Sequence, residues 1–211
     1  MNKYNYNYKM ENSFIDDEIE AGIDEAGRGC LCGRVYTAAV ILPEEYEDDT
    51  YLEIKDSKKL SRKKRDELRR YIETIALDYS VAYADEKEVD KHNILQATIR
   101  SMHRSLDNLN IVPGNIVVDG SYFKMYKDTD NMIIPHQLIT NGDNKYRNIA
   151  AASILAKTYH DEYIDNLLEK EPDLEKYGWR TNMGYGTKKH MEALKKYGPC
   201  KYHRKSFKPC Q

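Results

Sequence analysis

The sequence predicts an α/β layer structure built on a mixed sheet, and three observations lead to it. Two short apolar segments open the body of the chain and flank a glycine-rich loop, GRGCLCG, so they can pair as neighbours. Further strand-like runs then alternate with helices of amphipathic period. No stretch reads as a linker that would divide the chain, and 211 residues can bury a sizeable core without disulfide staples.

The elements follow in order. A lead over residues 1–17 begins MNKYNYNYKMENS, has no apolar period, and is expected to be disordered. Residues 18–24 (EIEAGID) read as a strand entering a glycine-rich turn; residues 34–42 (RVYTAAVIL), bounded by Gly33 and Pro43, read as a second strand. Ser61 is an N-cap for a helix whose Leu68, Ile72 and Ile75 share one face. Residues 78–84 alternate as a strand, and residues 93–109 form a helix with Ile94, Ile99, Met102 and Leu106 near one face. The apolar run 115–119 (NIVVD) predicts a central, buried strand, with another at 134–140. A helix over 146–169 starts on small residues, Ala150, Ala151, Ala152 and Ser153, and Glu171-Pro172 stops it. After Gly184-Tyr185-Gly186 a short helix spans 188–196 and ends before Gly198-Pro199.

Composition excludes several classes. The longest apolar stretches, 37–42 and 149–156, fall far short of the ~18 residues of a membrane span. The N-terminus lacks the apolar run of a secretory signal, which points to a cytoplasmic protein. Cys30, Cys32, Cys200 and Cys210 read as reduced thiols, and their C-x-C and C-x9-C spacings are not those of a structural zinc site. The net charge is −2, yet basic groups cluster. Residues 58–70 carry eight against Asp66 and Glu67, and residues 188–208 carry eight against Glu192. Two such clusters are a footprint for phosphates or else solvated surface.

Three acidic positions fall at the carboxyl ends of expected strands, where open α/β sheets gather functional groups. Asp24-Glu25 precedes Ala26-Gly27-Arg28-Gly29, Asp119 precedes Gly120, and Asp143 follows Ile139-Thr140-Asn141-Gly142. Singly, each has a plain explanation as a strand end, a turn pair or a helix cap. Together, four converging carboxylates require positive charge between them. A hard divalent ion such as Mg²⁺ meets that requirement, and two such ions about 4 Å apart suit phosphodiester hydrolysis. Gly27-Arg28-Gly29 lets backbone approach a ligand, including the sugar hydroxyl that separates RNA from DNA. Tyr185, between glycines, offers a ring to a sugar or base.

These residues together resemble ribonuclease HII, the type 2 ribonuclease H family. The matching stretches are GIDEAGRG (22–29), DSKKLS (56–61), VVDG (117–120), GDNKYRNIAAASILAK (142–157) and GYGTKKHMEALKKYGPCKYHRKSF (184–207), covering nearly all of 18–208. The resemblance implies a ribonuclease H-like fold: a mixed five-stranded sheet flanked by helices, with a helical C-terminal extension, all in one catalytic domain over 18–211. It implies Asp24, Glu25, Asp119 and Asp143 as the set that binds two Mg²⁺ or Mn²⁺ ions. Gly27, Arg28 and Gly29 would read the 2′-hydroxyl, Tyr185 would stack on the following deoxyribose, and Lys58, Lys59 and Lys145 would contact phosphates. The implied activity is cleavage of the RNA strand of RNA–DNA hybrids and nicking 5′ of single ribonucleotides in duplex DNA, leaving 3′-hydroxyl and 5′-phosphate ends. The chain departs from the family pattern at Arg34, at Cys30 and Cys32, and at Asn144.

Three other readings compete, one of them a zinc-stabilised interaction protein built on Cys30, Cys32, Cys200 and Cys210. A ribonuclease HIII-like nuclease would cut hybrids alone, but that relative carries a sizeable N-terminal domain and about 17 residues precede the first expected strand here. A non-catalytic nucleic-acid-binding module would use the basic clusters and give the strand-end acids no role. No protein partner and no membrane association are indicated, and a monomer is expected.

Overall fold

The apolar runs assemble into one sheet. In the computed structural model, which describes residues 10–15, 18–44 and 48–211, the strands are β1 (Glu20–Ala26), β2 (Val35–Ile41), β3 (Asp78–Ala84), β4 (Asn115–Asp119) and β7 (His136–Ile139), in the order β3-β2-β1-β4-β7. The pairs β1–β2 and β2–β3 are antiparallel; β1–β4 and β4–β7 are parallel, so the sheet is mixed. Two short strands, β5 (Tyr126–Lys127) and β6 (Ile133–Ile134), form a separate hairpin. The strand expected over 134–140 is therefore two pieces: Pro135 has no N–H to continue a ladder and separates β6 from β7.

The helices are α1 (Asp49–Leu52), α2 (Arg62–Ile75), α3 (Glu86–His92), α4 (Ile94–Asp107), α5 (Arg147–Lys170), α6 (Trp179–Asn182) and α7 (Lys188–Tyr197). Ser61 caps α2 and Asn93 caps α4 through their side chains. The sequence reading missed α3, which is too short for a clear period; its signal was the Asp85/Glu88 capping box. Part of the lead is ordered against the body, unlike the expected disorder over 1–17. Glu11 exchanges backbone hydrogen bonds with Lys145 and Arg147, each 2.9 Å. Residues 1–9 and 16–17 lie outside the described residues. No helix among the described residues is long and apolar enough to cross a membrane.

Strand alternation sends the two faces of the sheet to different helices. Ala21 and Ile23 of β1 join Ile116 and Val118 of β4 against Met102 and Leu106 of α4. On the other face, Ala38 and Val40 of β2 meet the small residues of α5, Ala150 to Ala152. There α5 crosses β1 at Gly22, where a Cβ would lie 2.2 Å from the Asn148 carbonyl carbon. A third cluster joins the loop residues Leu31 and Cys32 to the C-terminal helices through Leu174, Tyr177, Trp179 and Leu194.

Gly22→Ala drives a methyl into the Asn148 and Ile149 backbone, and neither a Cβ nor a helix backbone can rotate away. We expect a loss of at least about 3 kcal/mol, read as a fall in the urea midpoint.

Candidate active site

Pairing register brings the first two acids together. β1 and β4 are parallel with Ile23 opposite Val118, so Asp24 and Asp119 are the next residues on neighbouring strands. Alternation puts both on the face that carries Gly22 and Val117, toward α5. Asp143 arrives from the turn after β7, a 3-10 segment over Gly142–Asn144. The Gly142 N–H donates to Asp119 Oδ1 at 2.8 Å and draws that turn in. One carboxylate oxygen from each of Asp24, Asp119 and Asp143 lies within 4.8 Å of the others. Asp143 does not cap α5; Tyr146 holds that position.

Glu25 falls outside this three-way group. It follows Asp24 on β1, and its Oε1 lies 3.4 Å from Arg28 Nη1. Lys58 approaches Asp143 Oδ2 at 3.7 Å. Lys59 donates to Asn144 Oδ1, and Lys145 donates to the Thr140 carbonyl at 3.0 Å rather than to a carboxylate. Asn144 is spent on the site: its amide nitrogen donates to Asp143 Oδ1 at 2.8 Å and Asp56 Oδ2 at 3.4 Å.

The acids repel one another in a place short of water. Burial first, then the Glu25 and Asp119 carboxylates, hold Asp24 well above the usual carboxylate range, against the opposing pull of the Ser153 hydroxyl and the Glu25 N–H, which donates at 2.7 Å. Burial, then Asp119 and Asp56, raise Asp143, with Lys58 and Asn144 opposing. Burial also raises Glu25, although Arg28 opposes it. Burial would lower Lys58, but Asp143, Asp24, Asp56 and Asp119 outweigh it and hold the ammonium charged. An all-oxygen set of carboxylates with this excess of negative charge suits a hard divalent cation. Among the described residues it is the group of three or more His, Cys, Asp or Glu side chains close enough to share an ion.

The glycine loop lies next to the acids in sequence, directly after β1. Gly27 has φ +83°, and a Cβ there would lie 2.4 Å from the His160 ring. Tyr185 packs on Gly29, its ring carbon 3.7 Å from where a Cβ would be. The Leu31 N–H donates to the Gly184 carbonyl at 2.8 Å, tying the two loops. His160 is fully buried, 3.1 Å from Asp161 and 3.5 Å from the Cys30 sulfur. Lys157 lies 5.6 Å from the centroid of the Tyr185 ring. Burial pushes the Cys30 thiol up to about 12, so it stays protonated and donates to the Met183 carbonyl at 3.2 Å. Arg34 is spent on tyrosines, its guanidinium 3.8 Å from the centroid of Tyr83 and 4.7 Å from that of Tyr163.

A buried polar chain supports Tyr185 from below. His203 Nδ1 accepts from the Cys200 N–H at 2.9 Å, so its proton is on Nε2 and goes to His190 Nε2 at 3.0 Å. Trp179 shares that acceptor, 3.0 Å, and His190 Nδ1 donates to the Tyr185 carbonyl at 3.0 Å. Burial, then His190, lowers His203 to about 4, so the chain is neutral. The sequence reading missed His160, His190, His203, Arg204 and Asp56. Of these, Asp56 alone had a local signal, a capping side chain just ahead of Lys58 and Lys59.

Comparison with known proteins gives a consistent result. A family model described as Ribonuclease HII matches residues 21–210. A Christiangramia forsetii protein described as ribonuclease HII is 52% identical over 188 residues, covering 89% of each chain. The crystal structure of the ribonuclease H2 from Pyrococcus horikoshii OT3 superposes with a TM-score of 0.75 at 26% identity, covering 90% of this chain and 94% of that one. An Archaeoglobus fulgidus RNase HII, solved in complex with PCNA, gives 0.68 at 25% identity, covering 89% and 93%.

Raised carboxyl values in the fold mean that the metal-free native state binds protons more readily than the unfolded chain. The stability from these groups is full below the unfolded values near ~4 and is lost as pH rises through the folded ones. Asp24→Asn, which mimics the protonated acid, is expected to stabilise the metal-free protein at neutral pH and to lose that advantage on acidification. Urea midpoints in EDTA at both ends of that range check the sign; a variant less stable than wild type throughout would contradict it.

Proposed function

Because this chain belongs to the ribonuclease HII family of endonucleases, we propose that it cleaves the RNA strand of RNA–DNA hybrids and also nicks 5′ of single ribonucleotides embedded in duplex DNA. The products would be 3′-hydroxyl and 5′-phosphate ends. The observation that carries this reading is the three-carboxylate group at the ends of neighbouring parallel strands, with a glycine loop and an exposed tyrosine beside it. Such substrates imply a cytoplasmic enzyme. We read residues 18–211 as a single catalytic domain that acts as a monomer.

Asp24, Asp119 and Asp143, with Glu25 completing the set, would hold two divalent ions, Mg²⁺ or Mn²⁺. When bound, these ions would offset the negative charge and stabilise the attacking and departing oxygens of an in-line phosphodiester hydrolysis. The side chains themselves orient rather than attack. The Gly142 N–H fixes Asp119, the Glu25 N–H fixes Asp24, and Asn144 fixes Asp143. Lys58 and Lys59, on a turn capped by Asp56, are read as phosphate contacts, with Lys145 beside them. Gly27, Arg28 and Gly29 would meet the ribose 2′-hydroxyl, and the Tyr185 ring, 39% exposed, would stack on the next sugar. An all-DNA duplex would leave polar groups of that loop unpaired, at roughly 1–3 kcal/mol per group.

The test is cleavage of three end-labelled duplexes with Mg²⁺: DNA holding one ribonucleotide, an RNA–DNA hybrid, and DNA alone. The expected result is a metal-dependent cut 5′ of the lone ribonucleotide, cleavage of the hybrid, and no cut in DNA. Cleavage of the hybrid alone would favour a ribonuclease HIII-like preference. Asp119→Asn is expected to lower turnover by at least about 100- to 1,000-fold while duplex binding survives. Tyr185→Ala is expected to impair single-ribonucleotide substrates more than long hybrids, and equal losses would remove its junction-sensing role.

A further inference from the structure

Arg204 has no carboxylate partner, although it is fully buried. Among the described residues it joins no ion pair, and its Nη2 has no hydrogen-bond partner. Leaving a buried cation without a counter-charge is costly. What the guanidinium holds instead is backbone. Nε donates to the Gly33 carbonyl at 3.0 Å, and Nη1 donates to the carbonyls of Arg28 and Cys30 at 3.0 and 2.7 Å. The Arg204 N–H adds the Leu31 carbonyl at 2.9 Å. One residue of the C-terminal tail therefore engages four carbonyls of the loop over residues 28–33.

This grip fixes which way the loop's donors face. In a trans peptide the C=O and the following N–H point in opposite directions. Drawing the Arg28 carbonyl inward to Arg204 turns the Gly29 N–H outward. Drawing in the Cys30 carbonyl turns out the Leu31 N–H, which is already spent on Gly184. The Gly29 N–H has no partner among the described residues, and Gly29 lies against the Tyr185 ring. The neighbouring residue, His203, supports Tyr185 through His190, so two consecutive tail residues hold both walls of this corner.

We propose that Arg204 is a positioning residue for ribonucleotide recognition: from behind the loop it presents the Gly29 N–H, polarised by the buried charge, to the 2′-oxygen of the substrate. This inference rests on the proposed ribonucleotide-cleaving function. Lysine at this position keeps the charge but lacks the planar fork that spans the Arg28, Cys30 and Gly33 carbonyls.

The test is binding by the full chain, with Ca²⁺ in place of Mg²⁺ to withhold hydrolysis. It compares a duplex holding one ribonucleotide with the same duplex in all-DNA form. Wild type is expected to prefer the ribonucleotide by about tenfold, as one directed hydrogen bond implies. Arg204→Lys should bring the two affinities within about twofold while all-DNA affinity stays unchanged, a pattern that general loosening of the fold would not give. Retained preference in a folded Arg204→Lys protein would overturn the role of Arg204 alone. No preference in wild type, together with no cleavage in Mg²⁺, would overturn the function and this role with it. Should Arg204→Lys fail to fold, wild type still decides. Exchange of the Gly29 amide hydrogen should slow on adding the ribonucleotide duplex and not the all-DNA duplex; an unchanged rate would overturn the proposal.

Discussion

Mutual repulsion among Asp24, Asp119 and Asp143 is the constraint to which the surrounding structure answers. Carboxylates this close do not stay together by their own preference, so each is fixed by something rigid. Parallel pairing of β1 and β4 fixes two of them in register. The Asp119–Gly142 hydrogen bond and the Asn144 amide fix the third. The same need for rigidity explains the dense contact between α5 and the sheet. Gly22 and the alanines of α5 let the helix approach so closely that the Ser153 hydroxyl, 2.9 Å from that of Ser57, is among the groups that pull the Asp24 carboxyl down. Small residues in that layer are therefore part of the electrostatics as well as the packing.

The glycine loop obeys a different logic, because it is held from outside the sheet. His160 of α5 closes the space beside Gly27, Gly184 joins it at Leu31, and the tail grips its carbonyls through Arg204. The C-terminal helices thus do two things with one set of contacts: they bury Leu31 and Cys32, and they stiffen the corner where Tyr185 stands. Arg34, at the entry to β2, is taken up by the rings of Tyr83 and Tyr163.

Much of this arrangement was legible in the sequence, for local reasons. NIVVD and RVYTAAVIL are short, β-branched and bounded by breakers, so their strands followed directly. Asp24, Asp119 and Asp143 were legible because strand-end acids beside glycines form a pattern even before pairing is known. That Glu25 meets Arg28 and stays outside the three-acid group could be known only from the folded loop. Pro135 in the run 134–140 is visible in the sequence, and its missing N–H is what divides β6 from β7. Arg204, His190 and His203 were out of reach, because what each does depends on contacts across long sequence separations. A buried arginine and an exposed one look alike in a sequence that ends KYHRKSFKPCQ.

The chain has a single tryptophan, Trp179, and it is fully buried at the foot of the Tyr185 support. Its indole stacks on Tyr177 at 5.3 Å and 22°, and its N–H ends on His190. Intrinsic tryptophan emission from this protein is therefore a local gauge, reporting the C-terminal helices and not the sheet. A fluorescence transition that precedes the loss of far-ultraviolet dichroism would mean that the wall behind Tyr185 can open while the carboxylate cluster stays assembled. Coincident transitions would mean that the two corners of the site melt as one cooperative unit.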